Sequence, residues 1–271
     1  MTSTQQSKLE EYNVDIALQL KDVAYSYTGK RNNAPILQGV SLDVHAGEFV
    51  SIMGPSGCGK STLLNIVAGF EEPSAGTVTS AGKVVAKPGP DRGFVFQKPA
   101  LYPWMTVRQN TEFGPRARKV GRDVRHHAEA MLAEVGLAGY EDYKTYELSG
   151  GMQHRVAIAR TLVNEPQLLL MDEPFAALDA QTRTEMQALV LDIRRRHNST
   201  VLFVTHDIEE GLLLSDRVVI LGSRPARVVD IIDVDLERPR TYDTVATPAF
   251  IDLRLKVRNL IAQQQALRDS A

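Results

Sequence analysis

The chain has 271 residues, 43% of them hydrophobic and 24% charged, enough for one large α/β unit or a core with a smaller insertion. A net charge of -2 excludes a bulk electrostatic grip on nucleic acid, and a single cysteine, Cys58, excludes an intrachain disulfide. No apolar run approaches the ~18 residues of a membrane-spanning helix, so the reading is a cytosolic protein that would meet a membrane only through a partner.

Residues 1–13 are polar and carry acids, the composition of a disordered lead and not of a signal peptide. From Ile16 to Tyr27 apolar and polar residues partly alternate, and Val40, Leu42 and Val44 alternate again before the turn at Ala46 and Gly47. This pattern predicts half-buried strands of an antiparallel subsheet. Phe49–Met53 is a continuous apolar run leading into glycines and a helix, and Leu168–Met171 and Val201–Val204 are further such runs. Between the last strands lie helical stretches, with Met152, Val156, Ala159 and Val163 on one face. Alternation of this kind predicts a mainly parallel sheet covered on both faces.

The region from about 98 to 148 breaks the alternation. It shows one amphipathic helix, with Val124, Ala128, Met131, Leu132 and Val135 together and Gly136 as its stop, and reads as a helical insertion. Near the end, Thr247 and Pro248 form an N-cap and first-turn pair. A stripe of Phe250, Leu253, Val257, Leu260 and Ile261 then predicts a terminal helix packed on the body. There is no internal repeat.

Residues Gly54, Pro55, Ser56, Gly57, Cys58, Gly59, Lys60 and Ser61 satisfy G-x-x-x-x-G-K-[ST] between a strand and a helix, and Thr62 follows on the helix. Glycines let backbone N–H groups crowd round a β-phosphate, and the helix N-terminus adds positive potential. Lys60 can reach the β- and γ-phosphates of ATP, and the Ser61 hydroxyl can ligate Mg²⁺. Cys58 reads as a small tolerated side chain in that loop. The run Leu168–Asp172 is an apolar strand ending in a carboxylate, which places Asp172 beside the same Mg²⁺, while Glu173 points differently and can act as general base on a water.

A third motif, Glu147-Leu-Ser-Gly-Gly-Met-Gln-His-Arg155, opens a helix with Ser149, Gly150 and Gly151, a second phosphate-reading turn in one chain. With it the chain resembles the ATP-binding cassette family, the ABC ATPases of transporters, over roughly Ile16 to Gly222, with Met152 where that family usually has glutamine. The resemblance implies a P-loop NTPase core with a mainly parallel sheet, an N-terminal antiparallel β-subdomain and an inserted α-helical subdomain. It implies boundaries of 14–222 for the ATPase domain, about 98–160 for the helical subdomain, and 223–271 for a terminal strand, arm and helix. Tyr27 resembles the aromatic residue that stacks on adenine, with Tyr25 as a rival. Gln97 is similar to a glutamine that touches Mg²⁺ and the attacking water, Asp179 to the D-loop aspartate, and His206 to the switch histidine near the γ-phosphate. His45, His126, His127 and His197 carry no such likeness and read as surface histidines, and the Asn198 sequon has no use in a cytosolic chain.

The resemblance further implies a homodimer in which Ser149, Gly150 and Gly151 contact ATP held by the other subunit. Trp104, beside Tyr102 and Pro103, falls where the family receives a membrane subunit, although a packed core tryptophan is the plainer alternative. A softer likeness, in Met152-Gln153, Ser223–Arg227 and Asp233–Arg240, is to the bacterial nitrate, sulfonate and taurine importers. That branch implies permease subunits, indirectly a periplasmic solute-binding protein, no nucleic acid, and a place on the cytoplasmic face of the inner membrane. An exporter or lipid-transport ATPase, or a soluble ABC ATPase outside transport, are the alternatives.

Overall fold

The computed structural model describes residues 16–27, 35–121 and 123–269; the expected disordered lead over 1–13 lies outside the described residues. Two sheets organise the chain. The first takes β1 (Ile16–Ser26), β2 (Pro35–His45), β4 (Ala75–Ser80) and β5 (Lys83–Val84) in the order β2-β1-β4-β5, every pairing antiparallel. The second takes β3 (Phe49–Met53), β6 (Arg92–Val95), β7 (Leu168–Asp172), β8 (Thr200–Val204), β9 (Arg217–Leu221) and β10 (Val228–Asp233) in the order β10-β9-β3-β8-β7-β6. It is parallel except for β10, which runs antiparallel along β9.

The apolar runs in the second sheet follow from burial on both faces. Along β7, Leu168 and Leu170 join the core shared with the antiparallel sheet and α1 (Lys60–Ala68), while Leu169 and Met171 join the opposite one. On β8, Leu202 and Val204 divide from Val201 and Phe203 in the same way. A period of two thus sends one strand into two cores. Helix α1 stops at Gly69, with φ 80°, where a Cβ would come within 2.5 Å of the Lys87 carbonyl carbon.

The second core is covered by α2 (Val107–Ala117), α3 (Val124–Glu134), α4 (Gly150–Leu162) and α5 (Ala180–His197). Besides the amphipathic helix α3, the stretch between 98 and 148 holds α2, which shows no apolar stripe because it is mostly polar and has Pro115 near its end. It starts from a capping box: Thr106 Oγ1 accepts from the Gln109 N–H at 3.2 Å, and Gln109 Oε1 accepts from the Thr106 N–H at 2.9 Å. Helix α3 buries Ala128, Met131 and Leu132 as the spacing predicts, and Gly136 follows it at φ 75°. At the far end of α5, Asn198 adopts a left-handed backbone and ends the helix.

A third core lies outside β9 and β10. There α6 (Ile208–Leu214), α7 (Tyr242–Val245) and α8 (Pro248–Asp269) bring Leu212, Phe250 and Val257 against Met53, Val218, Ile220 and Ile232. Thr247 caps α8, its hydroxyl accepting from the Phe250 N–H at 3.3 Å, and the predicted stripe packs inward. The arm before α7 is fixed by Arg240, a buried guanidinium that donates to the carbonyls of Leu212 at 2.9 Å and Val234 at 2.7 Å. Among the described residues no helix is long and apolar enough to cross a membrane.

Candidate functional site

The carboxyl ends of β3, β7 and β8 lie side by side in the parallel sheet, and the loops leaving them carry the predicted motifs. The turn from β3 into α1 holds Gly54 through Ser61. Gly54 is required by close approach, since a Cβ there would stand 2.5 Å from the Leu221 carbonyl oxygen, and Gly57 by its φ of 74°. Lys60 is buried, and its ammonium donates to the carbonyls of Gly54 at 3.0 Å and Pro55 at 3.1 Å. The cation is thereby held inside the curl of the loop, where a phosphate would sit. Cys58 is buried in the same turn, and burial pushes its thiol up, which keeps it in the neutral, unreactive form.

At the end of β7 the Ser61 hydroxyl donates to Asp172 Oδ1 at 3.0 Å. Burial pushes the Asp172 carboxyl up, the charge of Glu173 adds to this, and the Ser61 hydrogen bond opposes it. A hydroxyl and a carboxylate are hard oxygen donors. No cluster of three or more His, Cys, Asp or Glu side chains among the described residues could hold a metal by itself. The pair therefore fits Mg²⁺ taking its other oxygens from nucleotide phosphates and water.

Glu173 is next in sequence but leaves the strand line. Its backbone has φ 45°, its N–H donates to the Val204 carbonyl at 2.9 Å, and its Oε2 lies 3.1 Å from His206 Nδ1. The structure thus brings the predicted base and the predicted switch histidine into hydrogen-bond contact from different loops. Gln97 follows β6 and is exposed. No hydrogen bond joins its side chain to Ser61 or Asp172; its backbone carbonyl instead faces His154 Nε2 at 3.3 Å.

The two tyrosine candidates separate cleanly. Tyr25 is buried, donates to Glu71 Oε2 at 2.8 Å, and has its phenol pushed up to about 12 by burial and by that carboxylate. Tyr27 is 49% exposed and packs T-shaped on Tyr25, with ring centroids 5.1 Å apart, so of the two it is the ring open to solvent. The signature residues open α4, on a different loop from the P-loop. Ser149 caps α4 by accepting from the Met152 N–H at 3.3 Å, and it and Gly150 are exposed at that helix N-terminus. Gly151 packs on the first turn of α5, where a Cβ would meet Thr182 Cγ2 at 2.5 Å. Asp179 caps that turn, its Oδ1 accepting from the Thr182 N–H at 3.0 Å. That N–H and the Thr182 hydroxyl hold its carboxyl below the usual range.

Two buried polar groups carry no role in the sequence reading, although the first lies within the signature stretch. His154, buried on α4, faces the Gly150 carbonyl with Nδ1 at 2.9 Å and the Gln97 carbonyl with Nε2, joining the signature turn to the end of β6. Glu210, buried on α6, accepts from the Thr205 hydroxyl and from Gln187 Nε2. Burial pushes its carboxyl up against both hydrogen bonds. The available signal was a polar residue on an otherwise apolar helix face.

A family model described as ABC transporter matches residues 37–176. An uncharacterized ABC transporter ATP-binding protein of Methanocaldococcus jannaschii is 45% identical over 250 residues, covering 92% of each chain. A taurine import ATP-binding protein, TauB, of Burkholderia pseudomallei is 43% identical over 251 residues, 92% of this chain and 96% of the relative. Among solved structures, the dimeric post-hydrolysis state of an ATP-binding cassette bound to ADP and Pi superposes with a TM-score of 0.71 at 32% identity, over 81% of this chain and all of that one. Aligned with such relatives over most of its length and folded as they are, the chain belongs to the ABC transporter family and is one of its ATP-hydrolysing cassettes.

Proposed function

We propose that this cassette energises a bacterial importer of a small solute of the taurine, sulfonate or nitrate kind, as a homodimer beneath two permease subunits fed by a periplasmic binding protein. The observation that carries the reading is the 43% identity to a taurine import ATP-binding protein across 96% of that relative. The chain would then sit on the cytoplasmic face of the inner membrane, held there by the permease.

The geometry supports a division of labour for hydrolysis. Gly54–Ser61 and Thr62 would wrap the phosphates while Lys60 neutralises β- and γ-oxygens. Ser61 and Asp172, with the Gln97 side chain, would hold Mg²⁺, which when bound draws charge from the phosphate oxygens. Glu173 would take a proton from the attacking water, with His206 fixing the carboxylate's direction through the 3.1 Å contact. The P-loop closes round a nucleotide from one side only. The exposed N-terminus of α4, with Ser149, Gly150 and Gly151, supplies N–H groups suited to a γ-phosphate held by a second subunit. A two-fold dimer makes two such sites from one sequence, and the solved relative is itself dimeric.

Adenine stacking falls to Tyr27. Because a stacked base is worth about 1–3 kcal/mol, Tyr27→Ala is expected to raise the ATP Kd by about 5- to 150-fold. Tyr25→Phe is expected to leave it within about twofold; fluorescence titration with a labelled ATP analogue checks both, and the reverse ranking would transfer the role to Tyr25.

Docking of a permease is supported by an open groove of about 780 Å³ lined by Phe70, Phe96, Tyr102, Phe113 and Arg160. Next to it Trp104 is 69% exposed, its ring 5.5 Å from that of Tyr102, so the packed-core alternative for Trp104 does not hold. Exposed aromatic side chains at such a site are the residues a partner would bury. The test is co-purification of the tagged chain with an integral membrane subunit, from membranes carrying both. Trp104→Ala should cut recovery of the pair several-fold while leaving ATP binding unchanged. A chain that stays soluble and fully active with no membrane partner overturns the transport reading.

A further inference from the structure

Glu210 is a buried carboxylate to which the hydrolytic reading gives no task. It lies on α6, four residues after His206, with 6% of its surface exposed. Its Oε2 accepts from the Thr205 hydroxyl, and its Oε1 accepts from Gln187 Nε2 at 3.0 Å. The Thr205 hydroxyl also accepts from the Asp207 N–H at 3.0 Å, so the backbone on both sides of His206 hangs from one oxygen. Gln187 belongs to α5, which Asp179 caps; one turn nearer that end, Arg183 donates to the Leu178 carbonyl at 3.0 Å. Between Glu210 and the Glu173–His206 pair lies a chamber of about 40 Å³ whose walls include Phe175 and Arg183. An acid buried this deeply is tolerated only where each oxygen is satisfied. Here the satisfying donors come from the turn after β8 and from helix α5.

We propose that Glu210 is a positioning residue that registers the His206 turn against α5, so that the imidazole's hold on Glu173 depends on where the Asp179 end of α5 stands. A displacement of α5 would thereby reach the reactive pair without passing through the nucleotide. The inference deepens the hydrolytic reading and rests on its assignment of His206 and Glu173.

The test spares Glu210, whose replacement could unfold α6, and removes its two donors one at a time in the full chain. Gln187→Leu and Thr205→Val are each expected to lower kcat for ATP hydrolysis roughly tenfold, since small displacements of reacting groups carry large rate effects. KM for ATP should stay near wild type even though loss of a donor to the buried acid lowers the melting temperature by several degrees, and Thr205→Ser, which keeps the hydroxyl, should recover most of the rate. That split of kcat from KM, with rescue by serine, is not what general loosening of the fold produces. Unchanged kcat in either variant, or a rise in KM that tracks a falling melting temperature, overturns the proposal. His206→Ala is measured beside them. If it turns over at the wild-type rate, the hydrolytic assignment fails and takes this inference with it. If it is inactive while Gln187→Leu is fully active, only the inference fails.

Discussion

Glu173→Gln is expected to bind ATP, to close into a stable dimer with it, and to release phosphate about 10²–10⁴ times more slowly than the wild type. The amide matches the carboxylate in shape and can keep a hydrogen bond to His206, 3.1 Å away, but it cannot accept a proton at neutral pH. The substitution therefore removes one proton acceptor and leaves nucleotide contacts alone, because Lys60 and Ser61 belong to another turn of the chain and Asp172, though adjacent, ends β7 with its carboxylate on the Ser61 hydroxyl. Such a loss corresponds to about 3–5 kcal/mol of barrier. Phosphate release under steady state, read beside size-exclusion chromatography with ATP, checks both halves. Near-normal hydrolysis would remove Glu173 as the base. A slow variant that stays monomeric would instead point to a role in closure.

Ser149→Arg is expected to spare ATP binding to the separate chain and to abolish hydrolysis, lowering it by about 10² or more. Ser149 shares no hydrogen bond with the P-loop of its own chain; its hydroxyl caps α4. Loss of that cap costs about 1 kcal/mol, too little to unfold an ordinary domain. The long cation would instead occupy the face that a second subunit's γ-phosphate must approach. Wild-type turnover per chain should rise with protein concentration as dimers form, and the variant's should stay flat. ATP binding at low protein concentration, by fluorescence, supplies the control. If binding there falls as far as hydrolysis, the signature turn serves its own chain's nucleotide and the arrangement across subunits is wrong.

Consecutive residues on a strand, a turn and a helix were the most legible part of this chain. Gly54–Ser61 and Leu168–Glu173 each carry their own context, because the apolar run predicts the strand and the strand places the polar residues at its end. Helix α2 was hidden by its polar composition and by Pro115; its start rests on Thr106 and Gln109 facing each other, a pairing with no apolar period. Tyr25 and Tyr27 could not be separated by alternation, since both stand on the same face two residues apart. What divides them is that β1 ends at Ser26, so one ring is inside the sheet and the other beyond it. His154 and Glu210 answer to groups far away in the chain, a Gln97 carbonyl and a Gln187 amide. Contacts of that range follow from topology, and no local pattern encodes them.

The backbone at Glu173 sets stability against turnover at a single residue. A side-chain-bearing residue at φ 45° costs roughly 1–2 kcal/mol relative to the ordinary right-handed or extended regions. The turn tolerates it because the Glu173 N–H reaches Val204 and its carbonyl accepts from the Ala176 N–H at 3.2 Å. Glycine would take the same conformation without that strain, giving back about 0.4–1 kcal/mol through the freer unfolded chain. Selection for thermostability alone would thus press against glutamate at this position, and only a requirement for the carboxylate's chemistry would hold it there.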